Sequence, residues 1–331
     1  MSTTEYSEYL LEVNNLRKYF PVEKNIFGRV KRQLHAVDGV SFRVKRGETL
    51  GIVGESGCGK STVGNTIVGL LGSDGGEIIF EGEDISKLNS REMRSRRAGI
   101  QMIFQDPYSS LNPRMRVGDI IAEPFRTHKI ASGAELRDRV NACMEAVGLD
   151  TSYVDRYPHE FSGGQRQRIG IARAIALNPK MIICDEPVSA LDVSIQAQIL
   201  NLLAQLQEKY GLTYIFIAHG LPAVQHISTN IAVMYLGKIV EIASKEEIFK
   251  NPKHPYTEGL LRAVPIPDPT LRQKRGEILD GDLPSSVDLP VGCRFQTRCP
   301  YAQEQCRQQE PSMQEIEPNH FVSCHFPLNF S

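Results

Sequence analysis

Short, mostly apolar runs alternate with longer stretches of helical periodicity along much of this sequence. The runs of strand length occupy residues 49–53, 99–104, 181–184 and 212–218. An unbroken apolar run is typical of a strand that is buried on both faces of a sheet. Apolar residues at helical spacing predict helices at residues 60–71, 119–129, 135–147, from Ser162 onwards, and 194–210. This alternation predicts an α/β fold.

Two further regions complete the predicted organisation. Residues 9–13 and 34–44 are predicted as strands, with a basic, glycine-containing loop at 21–32 between them. Residues 231–235 and 238–242 are predicted to form a hairpin that turns at Leu236-Gly237. Proline is frequent between Pro252 and Pro290, and the stretch 265–269 cannot form regular structure. We therefore predict a main domain at residues 1–264 and a small irregular, cysteine-rich domain at 265–331.

Composition excludes several classes of protein. Of the 331 residues, 41% are hydrophobic and 23% charged, and the formal net charge is −1. No global basic field points to nucleic acid as a partner. No apolar run approaches the roughly 20 residues that span a bilayer, and the N-terminus lacks the basic and apolar regions of a secretory signal. We expect a cytosolic protein that meets a membrane only through partners.

The nonapeptide from Gly54 to Thr62 carries the clearest chemistry. It reads Gly54-Glu55-Ser56-Gly57-Cys58-Gly59-Lys60-Ser61-Thr62 and fits the P-loop pattern G-x-x-x-x-G-K-[ST]. Its glycines let the backbone wrap phosphate groups, and its N–H groups and the following helix N-terminus attract an anion. We expect Lys60 to reach the β- and γ-phosphates of a nucleoside triphosphate and Ser61 to ligate Mg²⁺.

Polar residues at the ends of two apolar runs extend this prediction. Asp185 and Glu186 follow the run 181–184, and His219 follows the run 212–218. Ligands bind in the crevice at the carboxyl ends of strands in α/β sheets. Asp185 is therefore placed to hold Mg²⁺, Glu186 to activate an attacking water, and His219 to contact the γ-phosphate.

A second glycine-containing helix start follows the P-loop by about a hundred residues. In Ser162-Gly163-Gly164-Gln165, Ser162 is a good N-cap, and the two glycines open a second anion-binding helix end. On local sequence alone, an ordinary glycine-capped surface helix is the alternative. Near the N-terminus, one ring of the pair Tyr19-Phe20 could stack on an adenine or lie in the core, and the local sequence does not separate these two possibilities.

Four cysteines crowd into the last forty residues and predict a metal site. Cys293, Cys299, Cys306 and Cys324 have the spacing C-x5-C-x6-C-x17-C. In a reducing cytosol such a group favours metal ligation over disulfides. Four thiolates suit tetrahedral zinc or an iron–sulfur cluster equally by their chemistry, and free cysteines in a packed tail remain an alternative. His320 and His325 lie nearby and are treated as non-ligands.

Taken in order, these motifs resemble the nucleotide-binding subunits of ABC transporters. The motifs that carry the resemblance are the P-loop, Gln105, Ser162-Gly163-Gly164-Gln165, Asp185-Glu186, Ser189-Ala190-Leu191-Asp192 and His219. The resemblance implies a RecA-like P-loop NTPase core with an antiparallel β subdomain and an inserted helical subdomain at about residues 106–178. It implies ATPase activity with ATP and Mg²⁺. It also implies that adenine stacks on Phe20, with Tyr19 as the alternative. Gln105 is implied as a Mg²⁺ ligand and γ-phosphate sensor, and Asp192 as a nucleotide-binding residue.

Within that family the chain looks like the ATPase subunit of an oligopeptide or dipeptide importer. The stretches that carry this likeness are 35–42, 105–113, 157–161, 251–257 and the cysteine tail. The likeness implies a head-to-tail dimer with a second ATPase subunit, expected to be a paralogue, and two transmembrane permease subunits. It also implies an extracytoplasmic peptide-binding protein as an indirect partner, a place on the cytoplasmic side of the membrane, and a [4Fe–4S] cluster on the four cysteines.

The sequence departs from the commonest family pattern at three positions. Phe161 stands where leucine is usual, as is frequent in the peptide-importer branch, Gly220 stands where aspartate is usual after the histidine, and Pro222 is also unusual. We expect the chemistry to be retained and His219 to be held less firmly. The runner-up function is an importer of nickel or another small solute. An ABC ATPase of chromosome maintenance or translation and a redox-sensing regulator are more distant alternatives.

Overall fold

The computed structural model describes residues 8–24, 30–106, 108–263 and 284–329. In chain order the described strands are β1 (Tyr9–Lys24), β2 (Val30–Lys45), β3 (Thr49–Val53), β4 (Gly75–Phe80), β5 (Glu83–Asp84), β6 (Ile100–Ile103), β7 (Met181–Asp185), β8 (Thr213–Ala218), β9 (Asn230–Tyr235), β10 (Lys238–Ser244), β11 (Gln314–Glu317) and β12 (His320–Val322). The described α-helices are α1 (Lys60–Ile67), α2 (Ser90–Arg96), α3 (Val117–Thr127), α4 (Gly133–Ala146), α5 (Gly163–Ile175), α6 (Val193–Tyr210), α7 (Leu221–Ile227), α8 (Lys245–Lys250), α9 (Pro255–Arg262) and α10 (Glu304–Gln308). None of these helices is long and apolar enough to cross a membrane.

The chain forms two compact units. The first unit contains the described residues of Met1–Leu10, Val44–Thr49 and Lys87–Ile217. The second unit contains those of Leu11–Arg43, Leu50–Ser86 and Ala218–Ser331. The boundary predicted at residues 264 and 265 lies outside the described residues, as does the irregular stretch predicted at 265–269.

The first unit is built on three parallel strands. β7 lies between β6 and β8, with Ile100 opposite Met181 and Met181 opposite Thr213. All five residues of β7 are buried, as the unbroken apolar run predicts. Because the carboxyl ends of parallel strands meet at one edge, Gln105 and the pair Asp185-Glu186 emerge at the same edge of these strands. Helices α3 to α6 supply the remaining apolar surfaces of the unit.

The second unit contains two groups of strands. In one, the order is β2-β1-β4-β5, and β4 pairs antiparallel with both β1 and β5. In the other, the order is β11-β12-β10-β9-β3, in which β3 and β9 are parallel and the other pairs antiparallel. The predicted hairpin is confirmed as β9 and β10, with Tyr235 opposite Lys238. The P-loop connects β3 to α1 in this unit.

The structure corrects several predicted boundaries. The loop predicted at 21–32 is wrong at both ends, because β1 continues to Lys24 and β2 begins at Val30, while residues 25–29 lie outside the described residues. Proline lacks the N–H that a central strand must donate. Pro21 is nevertheless accommodated, because β4 pairs with β1 only as far as Arg17. Helix α1 ends at Ile67 rather than at residue 71.

The C-terminal region is more regular than predicted. Its described part contains α10 and the hairpin of β11 and β12. Strand β12 pairs antiparallel with β10, with Val322 opposite Glu241. Apolar patterning did not reveal these strands, because they have four and three residues and are partly exposed.

Candidate nucleotide-binding site and cysteine cluster

The loop between β3 and α1 has the backbone that a P-loop requires. Gly54 has a φ of +153°, and a Cβ added there would lie 2.1 Å from the carbonyl oxygen of Met234. Gly59 has a φ of +107°, and its added Cβ would lie 1.9 Å from the carbonyl oxygen of Ala36. Neither position accepts a side chain unless the loop moves, so both glycines are required by close approach of the backbone.

Lys60 reaches back along this loop and is only 3% exposed. Its Nζ donates hydrogen bonds to the carbonyl oxygens of Gly54 at 2.8 Å and Glu55 at 2.9 Å. The Nδ1 atom of His219 lies 3.4 Å from the same Nζ. The fold therefore brings together a predicted phosphate-binding lysine and a predicted γ-phosphate contact that are 159 residues apart.

The remaining P-loop residues differ in exposure. Ser56 and Gly57 are exposed, whereas Glu55, Ser61 and Thr62 are half-buried. Cys58 is buried, with its Sγ 3.8 Å from the Nζ of Lys60. Burial raises the pKa of the Cys58 thiol above its usual range, which keeps the group protonated at neutral pH. Cys58 therefore fills space beneath the loop as a small apolar side chain.

In the first unit, Gln105 and Glu186 are in direct contact. The Nε2 of Gln105 donates a hydrogen bond of 2.6 Å to Oε2 of Glu186. Asp185 and Glu186 are 6% and 4% exposed. The backbone N–H of Glu186 donates to the carbonyl oxygen of Ile217 at 2.9 Å, which ties the residue to the end of β8. The polar residues predicted at these strand ends therefore lie together, and the hydrogen bond between Gln105 and Glu186 is a contact that the sequence did not predict.

Glu186 also carries a feature that sequence reasoning missed. Its φ is +49°, in the left-handed region that residues with a side chain rarely adopt. Such a conformation costs on the order of 1–3 kcal/mol and persists only where the surroundings impose it. Strain of this kind is concentrated at active sites, and here it occurs at the residue whose carboxylate accepts the hydrogen bond from Gln105.

Ser162 and Gln165 cap the start of α5 reciprocally. The Ser162 Oγ accepts a hydrogen bond of 3.3 Å from the Gln165 N–H, and Gln165 Oε1 accepts one of 3.0 Å from the Ser162 N–H. The structure therefore confirms the predicted N-cap, with Gly163 and Gly164 as the first two helical residues. The capping box was missed, although S-x-x-Q is its sequence signal. Asp192 occupies the N-cap position of α6 without a side-chain capping bond.

Tyr19 and Phe20 have different surroundings on β1. The Tyr19 hydroxyl donates a 2.6 Å hydrogen bond to Oδ1 of Asp38, and its ring centroid lies 4.6 Å from that of His35. Burial and this hydrogen bond raise the pKa of Tyr19 to about 12. Successive strand residues point to opposite faces, and the half-buried ring of Phe20 lies 5.5 Å from the Nζ of Lys18. Tyr19 is thus held by contacts within its own unit.

The four C-terminal cysteines line one cavity. Cys293, Cys299, Cys306 and Cys324 are all unpaired thiols, and the apolar side chains of Pro255, Phe295 and Phe326 complete the wall. His325 also lines this cavity, whereas His320 does not. Burial raises the pKa of Cys299 to about 11 and that of Cys324 to about 12. Thiols with pKa values this high remain protonated at neutral pH unless a metal replaces the proton.

Backbone N–H groups near the sulfur atoms favour the thiolate form. Those of Phe295, Tyr301 and Phe326 lower the pKa of the Cys293, Cys299 and Cys324 thiols, against the larger effect of burial, which raises it. Backbone groups of this kind stabilise thiolate ligands and tune the potential of iron–sulfur clusters. The donor set and its surroundings therefore fit a metal group held by thiolates.

No three of the four sulfur atoms are as close together as the ligands of one bound zinc ion. Such an ion, with Zn–S bonds near 2.3 Å, would bring its sulfur ligands to about 3.8 Å from one another. Among the described residues, no three of these cysteines bring their sulfur atoms within 4.8 Å of one another.

Two unpredicted residues contact the P-loop. Arg298 donates to both carboxylate oxygens of Glu55, and the Glu55 N–H donates to the Tyr256 hydroxyl at 2.9 Å. Glu55 and Arg298 are 243 residues apart. No local pattern in the sequence signals such a contact, because it depends on how the C-terminal region folds back onto β9 and β10.

The predicted site residues divide between the two units. The P-loop, Phe20, His219 and the four cysteines belong to the second unit, and Gln105, Ser162 to Gln165, Asp185, Glu186 and Asp192 belong to the first. Within each unit, the contacts of Lys60 with His219 and of Gln105 with Glu186 are formed.

Two family models match the sequence. The model described as ABC transporter matches residues 37–189, and the model described as the C-terminal region of oligopeptide/dipeptide transporters matches residues 240–306.

Curated proteins match over nearly the whole chain. The oligopeptide transport ATP-binding protein AppF of Bacillus subtilis is 53% identical over 325 residues, which cover 98% of this chain and 99% of that protein. The oligopeptide transport ATP-binding protein OppF of Salmonella typhimurium is 54% identical over 324 residues, with 97% of both chains covered. OppF of Escherichia coli is 53% identical over 327 residues, with 98% of both chains covered.

Solved structures share the fold. A dimeric post-hydrolysis state of the ATP-binding cassette MJ0796, bound to ADP and Pi, matches with a TM-score of 0.64 and 28% identity and covers 71% of this chain and 98% of that one. CbiO1 from Clostridium perfringens, part of the ABC transporter complex cbiONQ, matches with a TM-score of 0.63 and 28% identity and covers 74% of this chain and 92% of that one.

Proposed function

This chain belongs to the family of ABC transporter ATP-binding proteins, and on that premise we propose that it is the ATP-hydrolysing subunit of an importer of oligopeptides or dipeptides. The observation that carries the proposal is the 53–54% identity to oligopeptide transport ATP-binding proteins over 97–98% of the chain. The match extends through the C-terminal region that its family model names after such transporters. Import of nickel or another small solute by the same kind of assembly is the second candidate.

Phosphoryl transfer is mainly a matter of positioning and charge neutralisation, and the chain has side chains for each role. Lys60 and the N–H groups from Gly54 to Thr62 bind the phosphates, and His219 contacts the γ-phosphate. Glu186 orients and deprotonates the attacking water, and its hydrogen bond from Gln105 fixes the carboxylate. Ser61, Gln105 and Asp185 present hydroxyl, amide and carboxylate oxygens, the donors that Mg²⁺ prefers, and Mg²⁺ neutralises phosphate charge when bound.

Phe20 is the proposed adenine platform. Tyr19 is already engaged with Asp38 and His35, and Phe20, on the opposite face of β1, is half-buried. A base stacked on an aromatic ring gains about 1–3 kcal/mol without sequence-specific contacts.

The start of helix α5 is proposed to act on a neighbouring subunit. Ser162 to Gln165 form the start of a helix whose N-terminal N–H groups favour an anion, and Asp192 makes no capping bond of its own. In a head-to-tail dimer these residues close the nucleotide site of the partner ATPase, which we expect to be a paralogue. Dimeric cassettes among the matching structures support this arrangement.

The remaining partners follow from the transport role. We propose that the helical segment at about residues 106–178 docks on two permease subunits at the cytoplasmic side of the membrane. The solute arrives through an extracytoplasmic binding protein. In this assignment residues 1–264 form the ATP-binding domain and residues 265–331 the C-terminal peptide-transporter domain.

For the cysteine cavity we propose a [4Fe–4S] cluster rather than zinc. Cys293, Cys299, Cys306 and Cys324 would hold it, and the likeness of this region to the C-terminal region of oligopeptide/dipeptide transporters supports the choice over zinc. When bound, the cluster supplies one-electron redox capacity. One of its cysteines, Cys299, directly follows Arg298, which contacts Glu55 of the P-loop.

Exchange of Glu186 for glutamine tests the catalytic assignment. In the assembled transporter, Glu186→Gln should lower ATP turnover by roughly 10²–10⁴-fold, because a positioned general base contributes about that much. Glu208→Gln, an equal charge change on an exposed position of α6, serves as the matched control. Full ATPase activity in Glu186→Gln would refute the assignment.

A transport assay separates the two candidate solutes. Proteoliposomes that contain the assembled transporter should take up labelled oligopeptide, and uptake of labelled Ni²⁺ instead would favour the second candidate.

Metal analysis of anaerobically purified protein tests the cluster. We expect a brown protein with about four iron and four sulfide per chain, and loss of both in Cys306→Ser. Cys143→Ser, which changes a cysteine of α4, should retain them. Stoichiometric zinc without iron would contradict the cluster assignment.

A further inference from the structure

A second group of metal-ligating side chains lies outside the cysteine cavity. Glu247 of α8, Glu317 at the end of β11 and His320 at the start of β12 each offer one ligand atom, and these three atoms all lie within 4.8 Å of one another. None of the three lines the cysteine cavity, and none has a role in the proposed ATPase.

His320 is the side chain that distinguishes this group from ordinary surface carboxylates. It is 1% exposed, and its Nε2 lies 2.7 Å from Oε1 of Glu241. Its other ring nitrogen, Nδ1, is buried without a hydrogen-bond partner. The nearest carboxylate oxygen to Nδ1, on Glu317, is 3.9 Å away, which is too long for a hydrogen bond.

The surroundings of Glu241 determine which nitrogen carries the proton. Glu241 is fully buried and accepts hydrogen bonds from the backbone N–H groups of Lys253 at 2.7 Å and His254 at 3.0 Å. Its carboxylate therefore acts as an acceptor, and the Nε2 of His320 donates to it. In the neutral ring this leaves the lone pair on Nδ1, the nitrogen that lies 3.9 Å from Oε2 of Glu317. A histidine held by a buried carboxylate on one nitrogen is the usual support for a metal ligand on the other.

The charges of the cluster favour a divalent cation. Glu241, Glu247 and Glu317 contribute three carboxylates, against one ammonium from Lys253, whose Nζ lies 2.9 Å from Oε1 of Glu317. With His320 neutral, the formal charge of these groups is −2. Asn251 donates to Glu247 at 3.4 Å, and its Oδ1 is also buried without a partner. Two buried atoms without a hydrogen-bond partner, Nδ1 of His320 and Oδ1 of Asn251, therefore lie beside an excess of negative charge, an arrangement that suits a bound cation.

We propose that Glu247, Glu317 and His320 bind a divalent transition-metal ion of the zinc type. One imidazole nitrogen with two carboxylates suits such an ion, whereas Mg²⁺ and Ca²⁺ take oxygen ligands. The ion ties α8 to the β11–β12 hairpin, and His320 lies four residues before Cys324. The site therefore anchors β12, which ends two residues before Cys324, the last cysteine of the C-terminal cavity.

Titration with Co²⁺ tests this site in the purified full-length chain. Co²⁺ bound by nitrogen and oxygen gives weak visible bands, whereas Co²⁺ bound by cysteine adds intense sulfur-to-metal charge-transfer bands, so the two sites are distinguished in one spectrum. We expect one equivalent of the first kind in the wild type and a rise in melting temperature with Co²⁺ or Zn²⁺. Glu247→Gln and His320→Gln should weaken this binding by at least about 10-fold.

Glu246→Gln is the matched control, because it removes the same charge from the exposed neighbour of Glu247 and should bind Co²⁺ as the wild type does. Glu247 is half-buried, so its variant decides the matter if His320→Gln fails to fold. Equal Co²⁺ affinity in Glu247→Gln, or Co²⁺ uptake with charge-transfer bands alone, would overturn the proposal. A melting temperature that responds to acid but not to metal would do so too, because it would indicate a protonated His320 paired with Glu317.

Discussion

Arg298 donates two hydrogen bonds, of 2.7 and 2.9 Å, to the two carboxylate oxygens of Glu55. Arg298 is only 6% exposed in its side chain and immediately precedes Cys299, whereas Glu55 is the second residue of the P-loop. The carbonyl oxygen of Glu55 accepts a hydrogen bond from Lys60. Polar contacts therefore lead from the residue before Cys299, through Glu55, to the lysine that we assign to phosphate binding.

Replacing Arg298 should disturb the P-loop although no P-loop residue is changed. Arg298→Lys keeps the charge but loses the planar pair of donors, and hydrogen bonds to charged groups contribute about 1.5–3 kcal/mol each when intact. We expect a lower melting temperature and an increase in the KM for ATP. Arg307→Lys, an exposed change in α10, is the control. Unchanged ATP kinetics in Arg298→Lys would show that the contact is structural only.

Two glycines of the P-loop should respond differently to alanine. Gly59→Ala places a Cβ 1.9 Å from the carbonyl oxygen of Ala36, whereas Gly57→Ala meets no atom within 4 Å. Both have a positive φ, of +107° and +79°, so Gly57→Ala carries only the backbone penalty of about 1 kcal/mol. We expect Gly59→Ala to abolish ATP binding and Gly57→Ala to weaken it mildly. Nucleotide titrations of the two variants measure this difference, and equal affinities would contradict the loop geometry.

Phe20 and Tyr19 should separate nucleotide affinity from stability. Phe20→Ala should raise the dissociation constant of ATP by roughly 5- to 150-fold, the equivalent of about 1–3 kcal/mol of lost stacking. Tyr19→Phe removes only the hydroxyl that bonds Asp38. It should lower the melting temperature and leave ATP affinity unchanged. Unchanged ATP affinity in Phe20→Ala would refute Phe20 as the adenine platform.

The rate at which the Cys143 thiol is alkylated should keep rising to a higher pH in the native protein than in the unfolded chain, because the thiol is partly buried. Burial raises the pKa of the Cys143 thiol to about 11. Because alkylation requires the thiolate, the native thiol should react about a hundredfold more slowly at pH 8 than in the unfolded chain, and its rate should keep rising with pH until about 11. Peptide-resolved iodoacetamide labelling of native and denatured protein measures both rates. A native rate that levels off near pH 9 would rule out this shift.

Much of the fold was predictable because its information is local. The run 181–184 became β7 with every residue buried, and the stretch 194–210 became α6 within one residue at its start. The full lengths of strands β1 and β2 were not predictable, because Pro21 and the basic residues around it have the pattern of a loop. Only the pairing of β4, which stops at Arg17, shows why a proline is tolerated there.

The sequence by itself determined the P-loop, the N-cap at Ser162 and the polar residues at strand ends, because each is a pattern within a few residues. It also showed the crowding of four cysteines between residues 293 and 324. The tertiary structure alone decided which of these residues meet. Gln105 contacts Glu186 across 81 residues, Lys60 contacts His219 across 159, and Glu55 contacts Arg298 across 243. Such contacts depend on strand order and register, and these result from burying all the apolar surfaces of a unit at once. The left-handed conformation of Glu186 and the unpartnered nitrogen of His320 have the same origin.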